Sequence, residues 1–206
     1  MALHVEDLED PCKYRQILKI PYDELITFVF DYIKRKSGLM VIFWSVCIIF
    51  LGIAFTVRLN ISGYFPFRNI FFHTLLGLVV LPLLCVPVHE LLHIIPYYLT
   101  GAKRIRVGMD LKQYMFYVTA HRHVATANQF RVVAVVPFLL VSIVLLFLVL
   151  LLPGLWKWSF SLLLFAHATM CAGDFAILNF YFLNRRKKLY TWDDFDKKIA
   201  YFYEEI

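Results

Sequence analysis

Residues 70–99 read IFFHTLLGLVVLPLLCVPVHELLHIIPYYL. No lysine, arginine or aspartate interrupts these 30 residues, and the one carboxylate, Glu90, stands between His89 and His93. A helix rises about 1.5 Å per residue, so about 20 apolar residues cross the hydrocarbon of a bilayer. This stretch is long enough to span with tilt to spare. Ionisable residues inside such a helix are costly, by about 2.5–3.5 kcal/mol for a central charge, and mark functional sites.

Helical residues four apart share a face, so His89 and His93 can hold one Zn²⁺ between them. Glu90 projects about 100° around the helix, as 3.6 residues per turn requires. From there it can take a proton from a water that the ion activates for attack on a carbonyl. The pattern His-Glu-x-x-His is moderately specific alone, and its apolar setting strengthens it.

Three more apolar runs flank this one, at 39–57, 132–152 and 158–183. Hydrophobic residues make up 61% of the 206-residue chain and charged residues only 17%. Soluble domains are closer to 45–50% and 25%. The chain therefore reads as an all-α membrane protein with four transmembrane helices. The segment 101–129 is too polar to span. Its stretches 104–109 and 114–120 favour strands, with a turn at 110–113, predicting a small cytoplasmic β-hairpin between helices 2 and 3.

Of the 21 basic residues, 18 fall in three regions: before the first run, between the second and third, and after the fourth. Only Arg58, Arg68 and Lys157 lie in the other connections. With four spans the three basic regions share one side, which the positive-inside rule makes cytoplasmic. The reading is a multi-pass cell-membrane protein with both termini cytoplasmic. The net charge of +6 then suits an anionic membrane surface, and no nucleic-acid partner is expected.

Three segments follow. Residues 1–38 form a cytoplasmic segment with an amphipathic helix over 21–36 and no signal-peptide core. Residues 39–184 form the membrane domain. Residues 185–206 form a basic tail that reads as a second amphipathic helix, carrying Trp192, Phe195, Ile199 and Phe202. The four cysteines, Cys12, Cys47, Cys85 and Cys171, form no Cys-x-x-Cys pair. Three lie in apolar runs, and most read as packing residues rather than a disulfide framework. Asn60-Ile61-Ser62 matches a glycosylation acceptor.

A catalytic zinc site needs a third protein ligand. Downstream glutamates occur only at Glu204 and Glu205, in the tail. The longer motif with glycine and a third histidine has Pro96 and Leu99 at those positions instead. Asp174 remains. Counting residues from the cytoplasmic ends of the second and fourth runs puts His89 about 15 Å deep, His93 about 9 Å and Asp174 about 13 Å. The carboxylate lies level with the imidazoles, and Gly173 beside it predicts close helix approach. His167, seven residues before Asp174, is a candidate supporting group behind the ligands. His73 lies too near the outer end to join the site, and His121 and His123 read as surface residues.

His89-Glu90-x-x-His93 on one span, a cytoplasmic hairpin, another span and then Gly173-Asp174 resemble the core of the site-2 protease clan of intramembrane metalloproteases. More closely, residues 70–184 resemble the bacterial putative zincin peptidase family (domain of unknown function 3267). The resemblance implies a zinc cofactor held by His89, His93 and Asp174, with Glu90 as catalytic base. It also implies that a strand within 104–120 pairs with an extended substrate. The expected activity is hydrolysis of a membrane-associated protein substrate, with membrane lipid as the other partner. The alternatives are a divalent metal transporter or a non-catalytic metal-containing scaffold.

Overall fold

A computed structural model of the chain describes residues 3–61, 63–110 and 115–206. The turn expected at 110–113 lies mostly outside these residues, as does Ser62 of the glycosylation match. The long apolar runs form helices because their backbone hydrogen bonds close internally, the arrangement that lipid requires. Helix α1 spans Leu25–Lys34, inside the amphipathic stretch, and α2 spans Gly38–Asn60. Helix α3 runs from Phe67 to Leu99, α4 spans Ala127–Leu151, α5 Gly154–Met170 and α6 Ala172–Leu183.

Three of these, α2, α3 and α4, are each long and apolar enough to cross a membrane. The fourth expected span is a pair, α5 and α6, bent by 40° at Cys171. Apolar side chains such as Ile48, Phe55, Leu83, Leu84 and Leu150 face outward on the long helices. Between the helices lies a core built around Phe43, Phe50, Phe138, Leu145, Leu164 and Phe175.

The expectation of an all-α fold is overturned. Strands β1 (Tyr14–Pro21), β4 (Ala125–Thr126), β5 (Leu189–Asp194) and β6 (Ile199–Glu205) form an antiparallel sheet in the order β1-β6-β5-β4. The tail, read above as a helix, is the β5–β6 hairpin. Its residues Tyr190, Thr191, Trp192, Tyr201, Phe202 and Tyr203 have the aromatic and β-branched character of strands, and they alternate with period two. Leu189, Ala200 and Phe202 pack with Phe28 and Phe180 on one face of the sheet, while Trp192 packs with Val5 and Leu8 on the other. The expected hairpin is present as a separate two-stranded sheet of β2 (Ile105–Asp110) and β3 (Met115–Ala120).

Asn179 fixes α1 to the bundle of long helices. Fully buried on α6, it donates to the carbonyls of Tyr32 at 2.7 Å and Arg35 at 2.9 Å, and accepts from Ser37 Oγ at 2.6 Å. These bonds satisfy carbonyls at the end of α1, which a helix terminus leaves without internal partners.

Candidate metal centre

His89 and His93 sit where α3 departs from regular geometry. Pro96 has no N–H to donate to the preceding turn. The His93 N–H bonds to the Glu90 carbonyl three residues back, at 3.1 Å, so the helix tightens at the second histidine. A turn earlier, Pro87 lies within the helix without ending it. Asp174 lies in the first turn of α6, immediately after the bend at Cys171. The break between α5 and α6 therefore brings a helix start, carrying the carboxylate, to the His89–His93 stretch in the C-terminal half of α3.

His89 Nε2 is 3.1 Å from one oxygen of Asp174, and His93 Nε2 is 3.6 Å from the other. Tetrahedral ligands at 2.0–2.1 Å from zinc stand about 3.3 Å from one another, so these separations fit a shared ion. His93 Nδ1 donates to the Val133 carbonyl at 3.0 Å, which leaves Nε2 with its lone pair toward Asp174. His89 Nδ1 is 3.1 Å from Nε2 of His167, which is fully buried. Both imidazoles are thus oriented from behind, the support that metal-binding histidines ordinarily have. The donor chemistry and the orientation of the donors fit Zn²⁺.

Glu90 lies close enough to His89 and His93 for the three to meet around one ion. Its carboxylate also faces the backbone of Val118 in β3. His89, Glu90, His93 and Asp174 all line one cavity of about 430 Å³. The cavity extends past β3 to the sheet, reaching Thr191, Asp193, Ala200 and Phe202. Carboxylate, imidazoles and space for a ligand therefore meet in a partly open chamber bordered by α1, α3, α4, α6 and the strands.

A second donor group, His89, His167 and Cys171, is also compact. Cys171 Sγ lies 3.8 Å from His89 Nδ1 and 3.7 Å from His167 Nε2. Neither His167 nor Cys171 lines the chamber, and both are essentially inaccessible. An ion there would be closed off, as structural sites are, whereas an ion between His89, His93 and Asp174 keeps an open side.

Other expectations fare unevenly. Gly173 does not mark close helix approach: a side-chain carbon there would meet nothing within 4 Å, and the residue lines the chamber instead. His73 bonds Ser159 Oγ at 2.8 Å, apart from the site. His121 is not a free surface residue, since its Nδ1 accepts from the Phe195 N–H at 3.1 Å. Cys85 packs against the main core, as a packing cysteine should. The sequence reading missed Val133, whose contribution is a carbonyl with no side-chain signal. It also missed Tyr22, Thr119 and Asp193 in the chamber wall. The last was legible only through the two-residue alternation of β5.

A protein-family model described as "Putative zincin peptidase" matches residues 82–190, slightly more than half of the chain. No curated protein and no solved structure matches. The matched region contains the His89 to His93 motif, Asp174 and β3, whereas the chamber residues Thr191, Asp193, Ala200 and Phe202 lie beyond it.

Proposed function

The chain belongs to the family of putative zincin peptidases, and from that premise we propose that it hydrolyses a peptide bond of a membrane-associated protein, at a zinc site within the bilayer. The observation that carries this reading is the convergence of His89, His93 and Asp174, beside Glu90, on a chamber large enough for a peptide segment. Zinc, when bound, supplies Lewis-acid activation of water and of the scissile carbonyl.

The protein's own residues do the rest. His89, His93 and Asp174 hold the ion, and His167 and the Val133 carbonyl keep the two imidazoles turned toward it. Glu90 receives the proton of the attacking water and returns it to the leaving amine. β3 borders the chamber through Phe116, Tyr117, Val118 and Thr119, so an extended substrate laid along it would have its scissile bond near Glu90. The setting in long apolar helices supports a substrate in or at the membrane, with lipid as the surrounding partner. The basic residues support cytoplasmic termini and a chamber opening on that side.

Quenched peptides spanning cytoplasmic membrane-flanking sequences, offered to the detergent-purified protein, test the reaction. The expected result is zinc-dependent cleavage that falls at least about a hundredfold in Glu90→Gln, the size of a lost general base. Cleavage that survives in Glu90→Gln would remove the assigned mechanism. A folded, zinc-loaded protein that cleaves nothing would favour the closed donor group around Cys171 and a structural metal.

A further inference from the structure

We propose that Asp193, with the hydroxyls of Tyr22 and Thr119, forms a subsite for a primary ammonium group of the substrate. The inference rests on the peptidase reading and names the chemistry its substrate must carry. Side chains alternate along a strand. On β5, Leu189 and Thr191 face the membrane-side cluster and the chamber, while Trp192 packs on the opposite face. Asp193 therefore points with Thr191 into the chamber. Its cross-strand neighbour on β6 is Ala200, too small to cover it.

The surroundings of this carboxylate are unusual. Among the described residues, no lysine or arginine lines the chamber. Burial lifts the pKa of the Asp193 carboxyl to about 7, opposed only by the Tyr22 hydroxyl beside it. The Tyr22 hydroxyl lies beside Thr119 and Asp193, and Tyr22 Oη and Thr119 Oγ1 are buried atoms without a hydrogen-bond partner. Tyr22 is 4% exposed and Thr119 6%. A half-buried carboxylate without a counter-charge, beside two buried hydroxyls that reach only one another and it and make no well-formed hydrogen bond, costs stability unless a ligand completes the set.

The donor count selects the ligand. An ammonium carries three N–H donors and no acceptor, and here a carboxylate and two hydroxyl oxygens stand ready to receive them. A transition metal would find no nitrogen or sulfur in this trio, and an anion would be repelled. The other carboxylates of the chamber, Glu90 and Asp174, belong to the metal end, so Asp193 is the one left for substrate charge. The ammonium can belong to a lysine side chain or to a free peptide N-terminus.

The test is equilibrium binding of fluorescent hexapeptide amides to the zinc-loaded full chain carrying Glu90→Gln, so that turnover does not interfere. One series is N-acetylated with lysine at each position in turn. A second is N-acetylated with norleucine throughout. A third has norleucine and a free amino terminus. One ammonium-bearing series should bind about tenfold or more tightly than the neutral one, the size of a charge-assisted hydrogen bond. Which series does so identifies the source of the ammonium. Adding Asp193→Asn should bring that ratio close to one, and Asp193→Glu should keep part of it. Equal binding of all three series to the Asp193 protein, or a preference that persists in Asp193→Asn, overturns the proposal. A protein that prefers ammonium peptides yet, with Glu90 restored, hydrolyses none keeps the subsite and loses the peptidase reading. One that hydrolyses peptides without the preference does the reverse.

Discussion

His93 shows how much a single side chain's second nitrogen decides. Its Nδ1 is occupied by the Val133 carbonyl at 3.0 Å, so only Nε2 can face the chamber. His89 is fixed in the same way by His167. Asp193 makes the opposite case, a titratable group held without a partner of opposite charge. Its carboxyl moves from 3.8 to about 7 because burial disfavours the ionised form. The folded pKa exceeds the unfolded one, so between these two values the folded chain holds a proton that the unfolded chain has released. Stability therefore falls as pH rises from about 4 through about 7. Tyr22 is the group that faces Asp193 most directly, with Tyr97 and Tyr181 nearby, and none of these phenols ordinarily ionises in that window. Peptide-free wild type should thus lose melting temperature relative to Asp193→Asn between pH 5 and 8. Parallel profiles for the two proteins would show that the carboxyl titrates normally.

At the scale of elements, α3 and α5 meet at Gly77, in a widened π turn over Leu76–Val80. A side-chain carbon at Gly77 would lie 2.5 Å from the Ser159 carbonyl oxygen and 2.9 Å from Leu162 Cβ. Neither backbone can yield cheaply, so Gly77→Ala should destabilise the protein by about 1–3 kcal/mol, as overpacking does. Gly52 on α2 has nothing within 4 Å, and Gly52→Ala should be neutral or slightly stabilising. Thermal unfolding in detergent compares them, and equal effects would mean that the two helices do not approach as described. The helices were legible because apolar runs of this length have one solution in lipid. The hairpin of β2 and β3 was legible because its partners are close in sequence. The four-stranded sheet was not: β1 pairs with β6, joining Tyr14 to Glu205, and no local pattern announces a partner at the other end of the chain. Short aromatic segments such as 189–205 also suit an amphipathic helix until the alternation is weighed. The 40° bend at Cys171 escaped notice because Cys171-Ala172-Gly173 carries no proline.

Across the whole molecule, the helices and the sheet enclose one chamber from two sides. The helical side brings His89, Glu90, His93 and Asp174, and the strands bring Thr119, Thr191 and Asp193. The metal end was legible because polar residues are conspicuous in an apolar helix. The far end was hidden because an aspartate in a polar tail is not. The proposed chemistry requires one zinc ion held between α3 and α6. The most direct measurement is the zinc content of the detergent-purified protein and four variants. Wild type should carry about one zinc per chain. His89→Ala and Asp174→Ala should lose it, and Glu90→Gln should keep it. His167→Ala should keep it with about 10–100-fold weaker affinity, as loss of a supporting hydrogen bond entails. Folded wild type without zinc, or full zinc in Asp174→Ala alongside none in His167→Ala, would mean that no ion is held between α3 and α6.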